Sequence, residues 1–275
     1  MSKTGISSFS LADKVIVITG ATGVLGRHFT LAVAEAGAKV VIIGRNEERA
    51  QACLEEVNAI GGSGIRILAD VMDEQQVVAA REQILAEFGT IDGLVNAAGG
   101  NIPGATIAPE QNLFESRIED TRKAVDLNLF GTVIPTFIFG KVIAEKGKGS
   151  IVNISSLSAY RPITRVLGYT MAKTAIEGFT KWMAVELSQR YGDGIRVNAI
   201  APGVFLTEQN KTLLTHPDGS YTDRAQRFIN GTPYGRLGVP EELKGTLVYL
   251  LSDASAFVNG TSILVDGGFN AYCGV

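Results

Sequence analysis

The sequence predicts one doubly wound α/β domain, a parallel sheet with helices on both faces. Three observations predict it. Short β-branched apolar runs recur along the chain, segments of helical period separate them, and glycines stand where those helices have to stop. The 275 residues are 45% hydrophobic and 19% charged, enough apolar material for a sizeable core.

The strand candidates are residues 15–19, 39–43, 65–68, 93–96, 150–154, 195–199 and 262–265. They are nearly continuous in Val, Ile and Leu, as strands buried on both faces of a parallel sheet are. Helical periodicity marks 27–36, 46–60, 74–88, 170–191 and 240–251. Gly37, Gly61, Gly62, Gly89 and Gly192 follow four of these as stop signals. No linker, low-complexity run or internal repeat divides 1–275, so a single domain is expected. Residues 206–238 break the rhythm. They are polar and charged, too long for a plain connector, and carry Leu213, Leu214, Phe228 and Ile229 at spacings that suggest short amphipathic helices. A substrate lid is expected there.

Composition narrows the function classes. Lys plus Arg is 25 against 28 for Asp plus Glu, a net charge of −3. With no basic excess, nucleic acid is not an expected partner. No uninterrupted run of about 18 apolar residues suggests a membrane span. The polar first 13 residues lack a signal-peptide core, and Cys53 and Cys273 make no disulfide framework. A soluble protein of the reducing cytoplasm is expected. His28 and His216 have no ligand spacing, so no metal site is expected.

The chemistry starts at the end of the first strand, in Thr19-Gly-Ala-Thr-Gly-Val-Leu-Gly26. Gly20 permits the tight turn, Gly23 lets backbone approach a pyrophosphate, and Gly26 lets the helix pack on the sheet. A phosphate then sits at a helix N-terminus. The strand-loop-helix context makes this a dinucleotide-binding, Rossmann-type signal, with Thr22 and Leu25 also in the loop. The second strand ends in Gly44-Arg45-Asn46, where an acidic residue would select NAD. A guanidinium there suits the 2′-phosphate of NADP, and NAD is the second candidate. Further on, Tyr169 and Lys173 are spaced i, i+4 at the start of a helix, so they share a face, and Ser155 and Ser156 end the preceding strand. A phenol is a poor acid–base catalyst at neutral pH until a nearby ammonium stabilises its phenolate. A serine hydroxyl beside it can hold a carbonyl oxygen.

With these residues in place, the chain resembles the short-chain dehydrogenase/reductases over essentially its whole length. The matching stretches are Thr19 to Gly26, Asp70-Val71, Asn96-Ala97-Ala98-Gly99, Asn128, Ser156, Tyr169 to Lys173, Arg196 to Asn198, Pro202 to Thr207 and Asp266 to Gly268. The resemblance implies a nicotinamide-dependent oxidoreductase with a tetrad of Asn128, Ser156, Tyr169 and Lys173. It selects Ser156 over Ser155. It implies that Asp70 touches adenine, that Asn96 to Gly99 line the adenosine side, and that Lys173 also binds the nicotinamide ribose. Pro202, Gly203 and Thr207 would hold the carboxamide and pyrophosphate, and Asn128 would anchor a water. A homotetramer is implied, packed around Phe130 and 170–191, with Trp182 at a subunit contact. Two features depart from the compact members: the Gly-x-x-Gly-x-x-Gly spacing, which is that of the extended subfamily, and Asn96-Ala97 in place of Asn-Asn.

Three segments, 96–101, 202–210 and 266–275, resemble a narrower group within that family, the D-mannonate oxidoreductases (fructuronate reductases). That group tends to carry an Asp where Gly44 stands. The narrower resemblance implies reduction of the keto group of D-fructuronate. A sugar acid needs a cation and hydrogen-bonding groups. Arg165, in the loop joining two catalytic residues, is the first choice for the carboxylate, with Arg161 or Lys211 behind it, and Asn101, Gln209 and Asn210 for hydroxyls. A related sugar or polyol dehydrogenase, such as a gluconate 5-dehydrogenase, is the nearest alternative. A 3-oxoacyl carrier-protein reductase is disfavoured by the polar lid, and a non-catalytic nucleotide sensor by the complete tetrad.

Overall fold

In the computed structural model, which describes residues 5–207 and 210–275, seven parallel strands form one sheet in the order β3-β2-β1-β4-β5-β6-β7. They are β1 (Val15–Thr19), β2 (Lys39–Gly44), β3 (Ser63–Leu68), β4 (Gly93–Asn96), β5 (Gly149–Ile154), β6 (Ile195–Pro202) and β7 (Ser262–Val265). The order reverses between β1 and β4, which opens a crevice at the carboxyl ends of those strands.

Alternation of side chains distributes the core over two layers. Ile16 and Ile18 of β1 join Val40 and Ile42 of β2 on one face. There they pack with Phe29 and Val33 of α1 (Val24–Glu35), Ala50 and Val57 of α2 (Glu47–Ala59), and Leu247 and Leu250 of the last helix (Lys244–Leu251). Val15, Val17, Val41 and Ile43 point the other way, onto α3 (Glu74–Phe88), Phe139 and Ile143 of α5 (Gly131–Lys146), and Met183 and Leu187 of α6 (Leu167–Tyr191). The inner strands β1, β4 and β6 are buried along their whole length, whereas the edge strand β7 is half-exposed throughout. Asn46 and Asp73 cap α2 and α3 by accepting backbone N–H groups of the first turn.

The segment between β4 and β5 holds two helices that periodicity did not reveal: α4 (Ile118–Val125) and α5. A π turn, Asp126–Phe130, joins them. The sequence of α5 is apolar nearly all round and contains Gly131, Pro135 and Gly140, so it shows neither a polar face nor an absence of breakers. The run Ile118–Lys146 is long and apolar enough by composition to cross a membrane, yet half of its apolar stretch is buried against the sheet and α3. Residues 206–238 hold α7 (Lys211–Leu214) and α8 (Asp223–Asn230), as their apolar spacing suggested. Leu214, Ala225 and Leu237 bury a small third cluster beneath them, with Phe228 and Ile229 packed against it. The last helix, α9, is Lys244–Leu251, preceded by a 3₁₀ turn.

Candidate active site

The loop from β1 into α1 turns at Gly20, whose φ of +64° is the left-handed conformation that favours glycine. A Cβ there would lie 2.7 Å from the Ala97 carbonyl oxygen at the end of β4. A Cβ on Gly26 would collide with the Gly20 carbonyl, so α1 rests directly on the turn. The N-cap of α1 is Gly23, which offers no side-chain acceptor, so the first N–H groups of the helix stay available to a ligand anion. This loop is one wall of a cavity of about 1090 Å³ at the carboxyl ends of the strands.

Tyr169, Lys173, Ser155 and Ser156 lie in the same cavity. Residues 169 and 173 share one face of α6, and Ser156 follows β5, so the sheet brings them together. Lys173 is 4% exposed. Its Nζ donates to the Ile154 carbonyl at 2.7 Å and stands 5.5 Å from the centre of the Tyr169 ring. Burial lowers the ammonium to about 8, and two of its three N–H groups remain for a ligand. Burial pushes the Tyr169 phenol up, and a hydrogen bond with the Ser156 hydroxyl pulls it back. Of the two serines, Ser156 therefore meets the phenol. Ser155 has a buried hydroxyl without a partner.

Asn128 sits in the π turn and is fully buried. Its Nδ2 donates to the carbonyls of Gly100 (2.9 Å) and Ala124 (2.8 Å), and its Oδ1 accepts the Gly100 N–H at 2.9 Å. Both donors of this side chain are thereby engaged by backbone carbonyls. Its geometry clamps the Gly99-Gly100 backbone beside Lys173.

The cavity wall includes Gly20, Gly23, Leu25, Gly26, Ala97, Gly99, Pro202, Gly203 and Thr207 from the expected cofactor set. Other expected residues stand outside it. Thr22 packs over Gly44, where a Cβ would lie 2.7 Å from the Thr22 Oγ1. Arg45 is exposed, 3.5 Å from Asp70. Asn46 caps α2, and Asp70 accepts the Met72 N–H. Val71 is buried in the core, and Ala98 packs against that same cluster. Asn96 needs a correction. Its Nδ2 donates to Thr136 (2.8 Å) and Asn153 (2.9 Å), so its side chain braces β4, β5 and α5 from within instead of facing a ligand.

At the substrate end, Asn101 and Arg165 line the cavity. Arg165 has a φ of +78° and is locked to the loop after β4. Its Nε donates to the Ile107 carbonyl (2.6 Å), and its own carbonyl accepts the Ile107 N–H (2.9 Å). Asn210 lines the cavity too; its Oδ1 accepts the Thr207 N–H and its Nδ2 donates one hydrogen to the Phe205 carbonyl of its own turn. Arg161 is also corrected: its guanidinium donates to the Asn270 and Tyr272 carbonyls, tying the loop to the C-terminal segment. Gln209 lies outside the described residues. Sequence reasoning missed Arg224 on α8 and left His216 as a structural or solvated residue; both line the cavity. The spacing of Arg224 and Phe228 on α8 is the signal that was available, since the guanidinium lies 5.3 Å from that ring.

The residues fit a nicotinamide dinucleotide on three counts: an uncapped helix terminus at a glycine wall, a buried lysine with spare donors, and a cavity of matching size. Comparison with known proteins agrees. The family profile described as enoyl-(acyl carrier protein) reductase matches residues 20–270. An uncharacterised oxidoreductase of Bacillus subtilis is 42% identical, covering 97% of this chain and 98% of its own. A candidate D-mannonate oxidoreductase from Haemophilus influenza, solved with bound NAD, superposes with a TM-score of 0.91 at 39% identity, covering 97% of this chain and 98% of its own. A gluconate 5-dehydrogenase from Burkholderia cenocepacia, solved with NADP and tartrate, gives 0.84 at 32% identity, covering 96% and 98%. The chain belongs to the short-chain dehydrogenase/reductase family and is an NAD(P)-dependent oxidoreductase.

Proposed function

We propose that the protein reduces the keto group of a sugar acid, D-fructuronate to D-mannonate, and runs the reverse reaction, with NADP(H) preferred. The observation that carries this reading is one cavity holding both Tyr169 with Lys173 and the cation Arg165. A bound nicotinamide dinucleotide supplies the hydride. Gly20, Gly23 and the N-terminus of α1 would hold its pyrophosphate, Lys173 its ribose, and Pro202, Gly203 and Thr207 its carboxamide end. Arg45 supports the preference for a 2′-phosphate.

The chain's own groups handle the oxygen and the proton. Ser156 Oγ donates to the substrate carbonyl oxygen and polarises it. Tyr169 gives its proton to that oxygen as the alkoxide forms, and takes one back in the reverse direction. Burial alone opposes a phenolate, so the adjacent Lys173 ammonium has to stabilise it. Asn128 fixes the Gly99-Gly100 backbone beside Lys173. Arg165 takes the substrate carboxylate, and residues 206–238 cover it as a lid.

A neutral keto-polyol reading has no use for a guanidinium held at the cavity wall. A homotetramer is the assembly the family resemblance implies, and the exposed Phe137, Trp182 and Val185 on α5 and α6 support self-association. The test is the initial rate of NADPH oxidation with D-fructuronate, run beside 5-ketogluconate and an NADH control. Turnover with fructuronate above 5-ketogluconate is expected. A rate with neither sugar acid removes the substrate assignment.

A further inference from the structure

Arg224 has no role in the reading above, yet it is placed as a ligand-binding group. It stands in the first turn of α8, on the segment that covers the cavity, and lines that cavity together with Arg165. The two guanidiniums come from different segments but are tied to one frame. The Arg224 Nη2 donates to the carbonyl of Thr164, the residue before Arg165, at 3.3 Å. The Arg165 Nε donates to the Ile107 carbonyl. Each has one recorded bond to a neutral backbone oxygen, which leaves most of its five N–H groups for the cavity. Among the described residues, no carboxylate lies within ion-pair distance of either.

That arrangement costs stability in the ligand-free protein. A cation in the first turn faces the positive end of the helix dipole. Burial and the neighbouring charges of Arg165 and Arg227 hold the Arg224 guanidinium below its ordinary pKa. Arg165 keeps a backbone conformation that a residue with a side chain rarely adopts. Two half-buried cations on the wall of one cavity, neither of them ion-paired with the Asp223 carboxylate that also lines it, are what an anionic ligand would neutralise, and a carboxylate accepts such planar donors two at a time.

We propose that Arg224 is a specificity-determining residue that forms, with Arg165, a two-guanidinium clamp for the substrate carboxylate. The clamp rests on the sugar-acid reading above and adds a consequence to it. The carboxylate bridges the α8 helix to the loop after β5, so binding an acid also fastens the lid.

The test compares D-fructuronate with D-fructose, its neutral counterpart with a hydroxymethyl in place of the carboxylate. Wild type, Arg224→Gln and Arg224→Lys are assayed for kcat and KM on both, with NADPH affinity and melting temperature measured alongside. Arg224→Gln is expected to lower the acid-to-fructose ratio of kcat/KM about 10- to 100-fold, mostly through KM, because one charge-assisted interaction is lost. Arg224→Lys is expected to restore part of it, and NADPH affinity to change less than about twofold. A ratio within threefold of wild type in both variants overturns the clamp and leaves the sugar-acid reading standing. If wild type reduces no sugar acid, that reading falls, and calorimetry with D-mannonate and with tartrate on the NADP-loaded protein decides the clamp. Binding that weakens at least tenfold in Arg224→Gln keeps it, and equal or absent binding ends it. If Arg224→Gln does not fold, the same thresholds apply to Arg224→Lys.

Discussion

Two halves of the molecule meet at one cavity and are built differently. On the cofactor side, backbone forms the surface: the Gly20 turn, the uncapped α1 terminus and the Gly99-Gly100 strip. On the substrate side, long side chains do so, each bonded to a carbonyl distant in sequence, as Arg165 is to Ile107 and Arg224 to Thr164. The first kind of surface needs particular residue types in one short turn. The second needs three loops to arrive at the same place. A change on the cofactor side should therefore damage folding and binding together, whereas one on the substrate side should alter preference and spare the fold.

The largest expected effect lies at the seam between them. Tyr169→Phe removes the proposed proton donor while keeping the ring, and turnover should fall about 10³-fold or more, in the range of general acid catalysis. NADPH should still bind with near-normal affinity by fluorescence titration. Residual turnover above about a tenth of wild type would show that another group moves the proton. Next in size is Gly26→Ala. The added methyl has no room against the Gly20 carbonyl, so a loss of about 3 kcal/mol in unfolding free energy is expected, together with weaker NADPH binding. Weakened binding with unchanged stability would break the link between turn and fold.

The same contrast explains what could be read from the sequence. All seven strands were legible, because their apolar runs lie in a parallel sheet whose inner strands are buried on both faces, and the edge strands β3 and β7 carry the same residue types. The glycine turn and the Tyr169–Lys173 face were legible because their geometry is local. The helices α4 and α5 were not, since α5 lacks a polar face to set a period. Asn96 read as a ligand group, yet its register opposite Asn153 buries it in a polar cross-brace. Arg161 and Asn210 read as substrate groups, but their partners are carbonyls and N–H groups that only the folded loops supply. Arg224 was passed over for the same reason.

Lys173 sharpens the comparison in a second way, because it belongs to both halves. Its folded value of about 8 lies below the ordinary 10.5, so between those pH values the unfolded chain holds a proton that the folded chain has released. Stability from this residue therefore rises with pH across that window. Below about pH 8 both states are protonated, and the cost of burying the charge is fully present. Lys173→Met should raise the melting temperature at pH 7 by removing a penalty of about 2 kcal/mol, net of the lost bond to Ile154, and should flatten the stability profile above pH 8. Turnover should be lost. A melting temperature that falls at pH 7 would mean that the ammonium's bonds outweigh its burial.

The smallest expected effect is at Arg45, where the proposed reading has a side chain, not backbone, set a cofactor preference. Its guanidinium is mostly exposed and 3.5 Å from Asp70, so a 2′-phosphate would meet it in near-aqueous surroundings, where such a contact is weak. Gly44 beside it supplies no carboxylate of its own, and Thr22 fills the space an acidic side chain there would need. Arg45→Gln should weaken NADPH about five- to tenfold, roughly 1 kcal/mol, and leave NADH unchanged. The proposed advantage of NADPH should also shrink with salt, as the screening length falls from about 10 Å at 0.1 M to about 3 Å at 1 M. An equal loss for both cofactors would place the guanidinium against adenine instead. A loss insensitive to salt would mean that the contact is less exposed than the free side chain.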